Sequence, residues 1–346
     1  MPPHTSIGRL SISIGVAAVA CATACNRPAG DPRGGERSTH GTAASTRAFV
    51  LAERDLLPES IAFDPASGSF LVGSMHRRKI VRRAPDGAVS DLAGPERGLW
   101  SIIGIKADPP AGELWANSCN LGDDLPMTPR DSASLGRGAL LRIRLADGRV
   151  LRRYEPPASA RPICFNDLAL GREGDVFLTA GTKGVWRLRR GGDTLRPVLS
   201  DSTLWLNGIA TADDGTLYAA DDSLGPLIVE PDAGRWRRVV VPAGDTLRGI
   251  DGLYVHGRSL VWIQNGVEPE RVVQAPLGPD GATVRELRVL EAGHPDFDSP
   301  TTGVMVGDTL FYVATAQLDA IRAGGTLTPA DSMHENVILR IVIPPL

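Results

Sequence analysis

The chain has 346 residues, 42% of them hydrophobic and 22% charged, with a formal net charge of −3 at pH 7. That balance describes a globular protein with a large core, and the lack of basic excess argues against nucleic acid as a partner. Length alone suggests about two domains, but the internal repetition described below argues for one closed domain.

The first 25 residues differ from the rest. A single Arg9 precedes the apolar run 10–20, which ends in small residues before Cys21 and again before Cys25. A weakly charged start, a short apolar stretch and small residues before a cleavage point predict an export signal, too short to span a membrane. A Cys after small residues resembles a bacterial lipobox, so Cys21 or Cys25 is the expected lipid anchor, and that anchor is the only membrane contact foreseen. The expected location is the periplasm or cell envelope, or the exterior if the signal is a plain secretory one. Residues 26–46 are rich in Gly, Arg, Ser, Thr and Ala without an apolar period, and read as a flexible tether.

From residue 47 onward the pattern is all-β. The segment Leu206-Asn207-Gly208-Ile209-Ala210, followed by Asp213-Asp214-Gly215 and then Leu217-Tyr218-Ala219, reads as strand, turn, strand. The same phrase recurs after lead positions Glu59, Ile103, Asn166, Asp251 and Thr302. Repetition at roughly 40–50 residues, with several strands per unit, predicts a β-propeller, and six copies predict six blades over residues 47–346. The apolar stretch near Phe49 should pair with the one around Val337 to Ile343, closing the ring.

In a propeller the first strand of each blade lines the channel, so the lead positions form a ring: Glu59, Ile103, Asn166, Asn207, Asp251 and Thr302. Two carboxylates and two amides converging there are costly to bury without a cation or protons. Oxygen-only ligands suit a hard cation, calcium before magnesium, and the absence of His and Cys argues against zinc. Ile103 and Thr302 would line the site. By the same topology, second strands end at the ring face. His76 and the long stretch 117–137 therefore belong at the mouth, where the stretch is a candidate lid. Cys119 and Cys164 should lie there too, in neighbouring blades, close enough to pair in an oxidising compartment.

The segments Pro58-Glu59-Ser60-Ile61-Ala62, Phe165-Asn166-Asp167-Leu168-Ala169, Leu206-Asn207-Gly208-Ile209-Ala210 and Ile250-Asp251-Gly252-Leu253 resemble the gluconolactonase/regucalcin (senescence marker protein) family, and more distantly paraoxonases. The resemblance covers about residues 47–343. It implies a six-bladed propeller with a divalent metal, commonly calcium, held by Glu59, Asn207 and Asp251. Asn166 would be a further ligand or would touch metal-bound water and substrate, and Asp251 would also act as the base. Family members often carry an Arg shortly before the Asn of the third motif. Here Ile163 and Phe165 stand nearest, which leans toward a more apolar substrate, with Phe165 and His76 as candidate contacts. The expected activity is metal-dependent hydrolysis of a small lactone or ester. The alternative is a non-enzymatic propeller that binds a ligand or partner and uses its metal structurally.

Overall fold

The structure, a computed structural model, describes residues 45–346. The export signal, the candidate anchors Cys21 and Cys25 and most of the tether lie outside the described residues. Six four-stranded antiparallel sheets account for nearly all of the architecture. Blade 1 starts with Pro58–Asp64, blade 2 with Ser101–Asp108, blade 3 with Leu168–Leu170, blade 4 with Leu206–Thr211, blade 5 with Ile250–His256 and blade 6 with Gly303–Val306. These first strands contact one another in succession, and the sixth touches the first, so the ring closes. The fold is the six-bladed propeller that the repeat predicts.

Closure is made by hydrogen bonds between distant parts of the chain. Thr46–Leu51 pairs antiparallel with Asn336–Val342, with Leu51 opposite Asn336 and Thr46 opposite Arg340. It thereby becomes the outer strand of blade 6, so that no long inner edge is left open. The seam with blade 1 is filled by aromatic rings: Phe70 lies 5.2 Å from Phe49, 4.9 Å from Phe63 and 4.8 Å from Phe311. Offset, tilted contacts of this kind add to the stabilisation that burial of the rings already gives.

The first strands share an irregularity that positions the ring. In blade 4 the register jumps between Leu206 and Ile209, so Asn207 and Gly208 together face the single residue Ala220. Blade 2 does the same with Ile103 and Gly104 opposite Asn117, and blade 5 with Asp251 and Gly252 opposite Ile263. In blade 3, Asn166 and Asp167 both exchange backbone bonds with Thr179. A β-bulge of this type re-aims a side chain, here the first residue of each pair. The second residue points at the next blade. A Cβ on Gly208 would stand 2.3 Å from the Asp251 carbonyl oxygen and 2.7 Å from the Leu253 nitrogen.

Blade 6 corrects the expected phase. Thr301 N–H donates to Val313 O, and Val313 N–H donates to Thr302 O. The bulge pair is therefore Thr301-Thr302, and Thr301, not Thr302, is the counterpart of Asn166 and Asp251. Gly303 misled the alignment because it follows a polar residue as Gly208 does. It occupies an ordinary strand position opposite Tyr312, where a Cβ would lie 2.5 Å from Phe311 O.

Because backbone atoms cannot yield as a flexible side chain can, Gly208→Ala should destabilise the fold by at least about 1–3 kcal/mol, the usual range for forced overpacking. Thermal unfolding checks this, and a melting temperature equal to the parent's would mean that the blades can part without cost.

Candidate functional site

Glu59 and Asp251 hold the centre. Asp251 is 4% exposed, and its Oδ2 accepts a hydrogen bond from Asn265 Nδ2 at 2.7 Å. Its Oδ1 is buried without a partner, and so is Glu59 Oε2. Burial pushes Asp251 up to about 7, opposed by the hydrogen bond from Asn265 and reinforced by the charge of Asp167. Glu59 retains some solvent contact. Its carboxyl is nonetheless held well above its ordinary value, first by desolvation and then by the charges of Asp251 and Asp167. Two carboxyls that depress each other's ionisation share one electrostatic site.

The other ring residues are fixed by the backbone around them. Asn166 donates from Nδ2 to Leu206 O at 2.9 Å, which turns its amide nitrogen toward blade 4. The side chain of Asn207 lies near Asp251. Thr301 and Thr302 both donate their hydroxyls to the Glu59 carbonyl, at 3.0 and 2.7 Å, and so lock blade 1 to blade 6 beside the ring. Thr302 is thus an anchor of the Glu59 backbone and not a free lining residue. Among the described residues, no three or more His, Cys, Asp or Glu side chains are grouped as a metal site. The donor set is two carboxylates with amides.

Asp167 and Lys106, near the ring, escaped the sequence reading. Asp167 fills the bulge position that is glycine in blades 2, 4 and 5. Its carboxylate accepts Leu168 N–H at 2.7 Å and, across the blade boundary, Ile209 N–H at 3.2 Å. Burial raises its pKa, and Lys106 opposes that rise. Lys106 itself reaches across the channel, with Nζ 5.8 Å from the Tyr254 ring. Asn265, the orienting partner of Asp251, follows the second strand of blade 5, Ser259–Gln264, at the mouth where the topology puts it.

Phe165 departs from expectation. It is 1% exposed and packs edge-to-face on Trp186, with centroids 6.0 Å apart, in the core between blades 2 and 3. The residue before each bulge points away from the axis, as Ile102, Leu206 and Ile250 also do, each no more than 1% exposed. His76 does lie at the ring face, but its Nδ1 donates to the Pro126 carbonyl at 2.9 Å, and its own carbonyl accepts Thr128 N–H at 2.7 Å. It fastens the 117–137 stretch. Arg78 does likewise, donating to Leu99 O at 2.8 Å and Pro129 O at 2.6 Å.

That stretch begins inside the strand Glu113–Cys119 and then crosses the mouth with two short 3-10 turns. With residues 317–333 it forms an apolar cap, in which Leu125, Leu121, Met333, Leu318 and Ile321 pack with Met75 and the ring residue Ile103. Arg130 bridges the two insertions by donating to Gly325 O at 3.2 Å. Cys119 and Cys164 are bonded beneath the cap, joining blades 2 and 3 with a Cα separation of 5.3 Å. Two surface cavities of about 400 and about 630 Å3 lie away from the ring. One is beside Asp298 and His334, and the other is among the outer strands of blades 3 and 4.

No protein-family model matches the chain, and no curated protein matches it by sequence. Solved structures do share its fold. A gluconolactonase from Xanthomonas campestris is similar with 17% identity, 91% of this chain and 99% of that one covered, and a TM-score of 0.55. The PQQ-bound aldose sugar dehydrogenase of Streptomyces coelicolor is similar with 14% identity, 86% and 98% covered, and a TM-score of 0.58. Virginiamycin B lyase from Staphylococcus aureus is similar with 15% identity, 85% and 98% covered, and a TM-score of 0.52. The gluconolactonase fold suggested by the sequence motifs is thus among these neighbours, and at such identities the likeness carries the fold alone.

The buried carboxyls dictate a pH dependence. Asp251 binds its proton more tightly folded, at about 7, than at its ordinary value of 3.8. Its penalty is therefore absent below the unfolded pKa and grows as pH rises toward the folded one. In chelator, the melting temperature should fall between about pH 4 and about pH 7, with a slope of up to about 1.4 kcal/mol per pH unit from this group. Asp251→Asn should flatten the fall. A parent curve that is level or rising over this window would contradict the assignment.

Proposed function

We propose that this protein is a divalent-metal-dependent hydrolase of a small ester or lactone, with calcium the favoured ion. One observation carries the reading: Glu59 Oε2 and Asp251 Oδ1 are buried, acidic and without hydrogen-bond partners in a single electrostatic site. Orphaned buried carboxylate oxygens are costly unless protonated or coordinated. Glu59, Asn166, Asn207 and Asp251 would hold the ion through side-chain oxygens, a donor set that suits calcium. When bound, the ion would polarise a substrate carbonyl and stabilise the charge that develops on its oxygen.

The chain's own groups supply the rest. Asn265 occupies Asp251 Oδ2 and leaves Oδ1 to accept a proton from an attacking water. Ile103 and the cap offer an apolar surface that favours an apolar ring or acyl group over a polyhydroxylated one. Lactone hydrolysis is the activity named for one neighbour of the same fold, which puts lactones first among candidate substrates. The Cys119–Cys164 bond supports an oxidising compartment, in keeping with export and lipid anchoring through Cys21 or Cys25. The cap favours one second reading. An apolar cover packed on Ile103 equally suits a structural ion in a propeller that binds its ligand or partner elsewhere.

Calcium titration followed by calorimetry and thermal unfolding, with a panel of lactones and aryl esters, separates these outcomes. Calcium should raise the melting temperature by binding the native state and should offset the loss of stability with rising pH. Turnover should require calcium and fall at least ~100-fold in Asp251→Ala, with the fold retained. Calcium binding without turnover of any lactone or ester would favour the structural ion, and no binding would remove both readings.

A further inference from the structure

Six positions, one per blade, lie opposite the bulges on the second strands: Gly73, Asn117, Thr179, Ala220, Ile263 and Val313. Four of them carry no polar side-chain group. Thr179 shows what a polar one does. Its hydroxyl donates to the carbonyl of Asn207, the ring residue of the next blade, and accepts Asp167 N–H at 3.2 Å. It thus ties a ligand-bearing bulge to its neighbour.

Asn117 is the other polar member. It is 0% exposed, and neither its Oδ1 nor its Nδ2 has a hydrogen-bond partner. It faces blade 3, between Trp115, which packs in the core of the blade 2–3 boundary, and Cys119, which is bonded to Cys164. A Cβ built on Gly104 would stand 3.1 Å from Asn117 Nδ2 and 2.7 Å from the Asn166 carbonyl oxygen. The amide and the carbonyl therefore border the same small space, which Gly104 leaves open. A buried carboxamide with no partner is destabilising, and an apolar side chain of similar shape would avoid that cost. The other four blades have an apolar residue or glycine there.

We infer that Asn117 is a positioning residue for Asn166. With the ion bound, its Nδ2–H would close on the Asn166 carbonyl as the Thr179 hydroxyl closes on that of Asn207, and so fix how far the Asn166 side chain projects toward the axis. This rests on the metal reading above, because the role of Asn166 in it is to hold the ion.

The test compares Asn117→Val, which keeps approximate shape and removes the donor, with Asn117→Thr, which places a Thr179-like hydroxyl at the matching position. Calcium affinity is measured by calorimetry on the full exported chain, and melting temperature in chelator is measured in parallel. Asn117→Val should bind calcium about tenfold more weakly, the scale of one hydrogen bond passed on to the ligand. Its melting temperature in chelator should match or exceed the parent's, because two orphaned groups are gone. Asn117→Thr should recover affinity to within about threefold. Equal affinity in Asn117→Val and the parent would overturn the inference. So would a loss of affinity that accompanies a lower melting temperature in chelator and is not recovered by Thr. A parent that binds no calcium would instead overturn the metal reading, and this inference with it.

Discussion

Six inner strands meeting around one axis bring each backbone against the next, and this crowding governs the rest of the molecule. The bulge near the start of each first strand is the chain's response. One residue of the pair turns toward the axis, while its successor is pressed against the adjoining blade. Gly104 and Gly208 leave room for a neighbouring carbonyl at that contact. Asp167 takes the opposite course and fills the gap with a carboxylate that accepts the Ile209 N–H of blade 4. The threonines at the end of the ring tie blade 6 to the Glu59 carbonyl. Site and scaffold are thus one set of contacts, and the ring side chains inherit their directions from backbone packing.

Convergence also forces like charges together. Glu59, Asp167 and Asp251 each have a raised pKa because burial strips water from them, and the charge of Asp167 raises both Glu59 and Asp251 further. Asp167 is compensated by two backbone donors and by Lys106, whereas Glu59 and Asp251 each keep an unpartnered oxygen. Evenly spread, the same carboxylates would each find a donor. Their inequality separates a carboxylate that braces the fold from two that remain available for chemistry.

The propeller was legible because each blade repeats the same burial problem, and the spacing of Asn207-Gly208 and Asp251-Gly252 preserved the phase. Where one glycine served a different need, the phase slipped. Gly303 makes room for Phe311 O and Tyr312 within its own blade, yet in sequence it looks like the glycine of a bulge. Phe165 was misplaced for a related reason. Proximity to Asn166 in the chain suggested proximity in space, but alternation sends the preceding residue into the core, as Ile102, Leu206 and Ile250 show. Comparison across the repeats would have revealed this. Strand topology puts both the 117–137 stretch and the chain from Gln317 onward at the mouth, but the contacts that join them into one cap have no periodic signature. Asn117 was hidden altogether, because its isolation is a property of the packed interface.

Building blade 6 from both ends of the chain has a consequence for how the molecule comes into being. Thr46–Leu51 is made early, but its partner Asn336–Val342 arrives only after five blades have been synthesised. Until then the early strand has no ladder to join, and the blade 1 aromatics lack Phe311. The pairing that seals the ring is therefore of long sequence separation, the kind that forms late and slowly. Ring closure therefore waits for Asn336–Val342, and the six blades become one closed unit only when both ends of blade 6 have met.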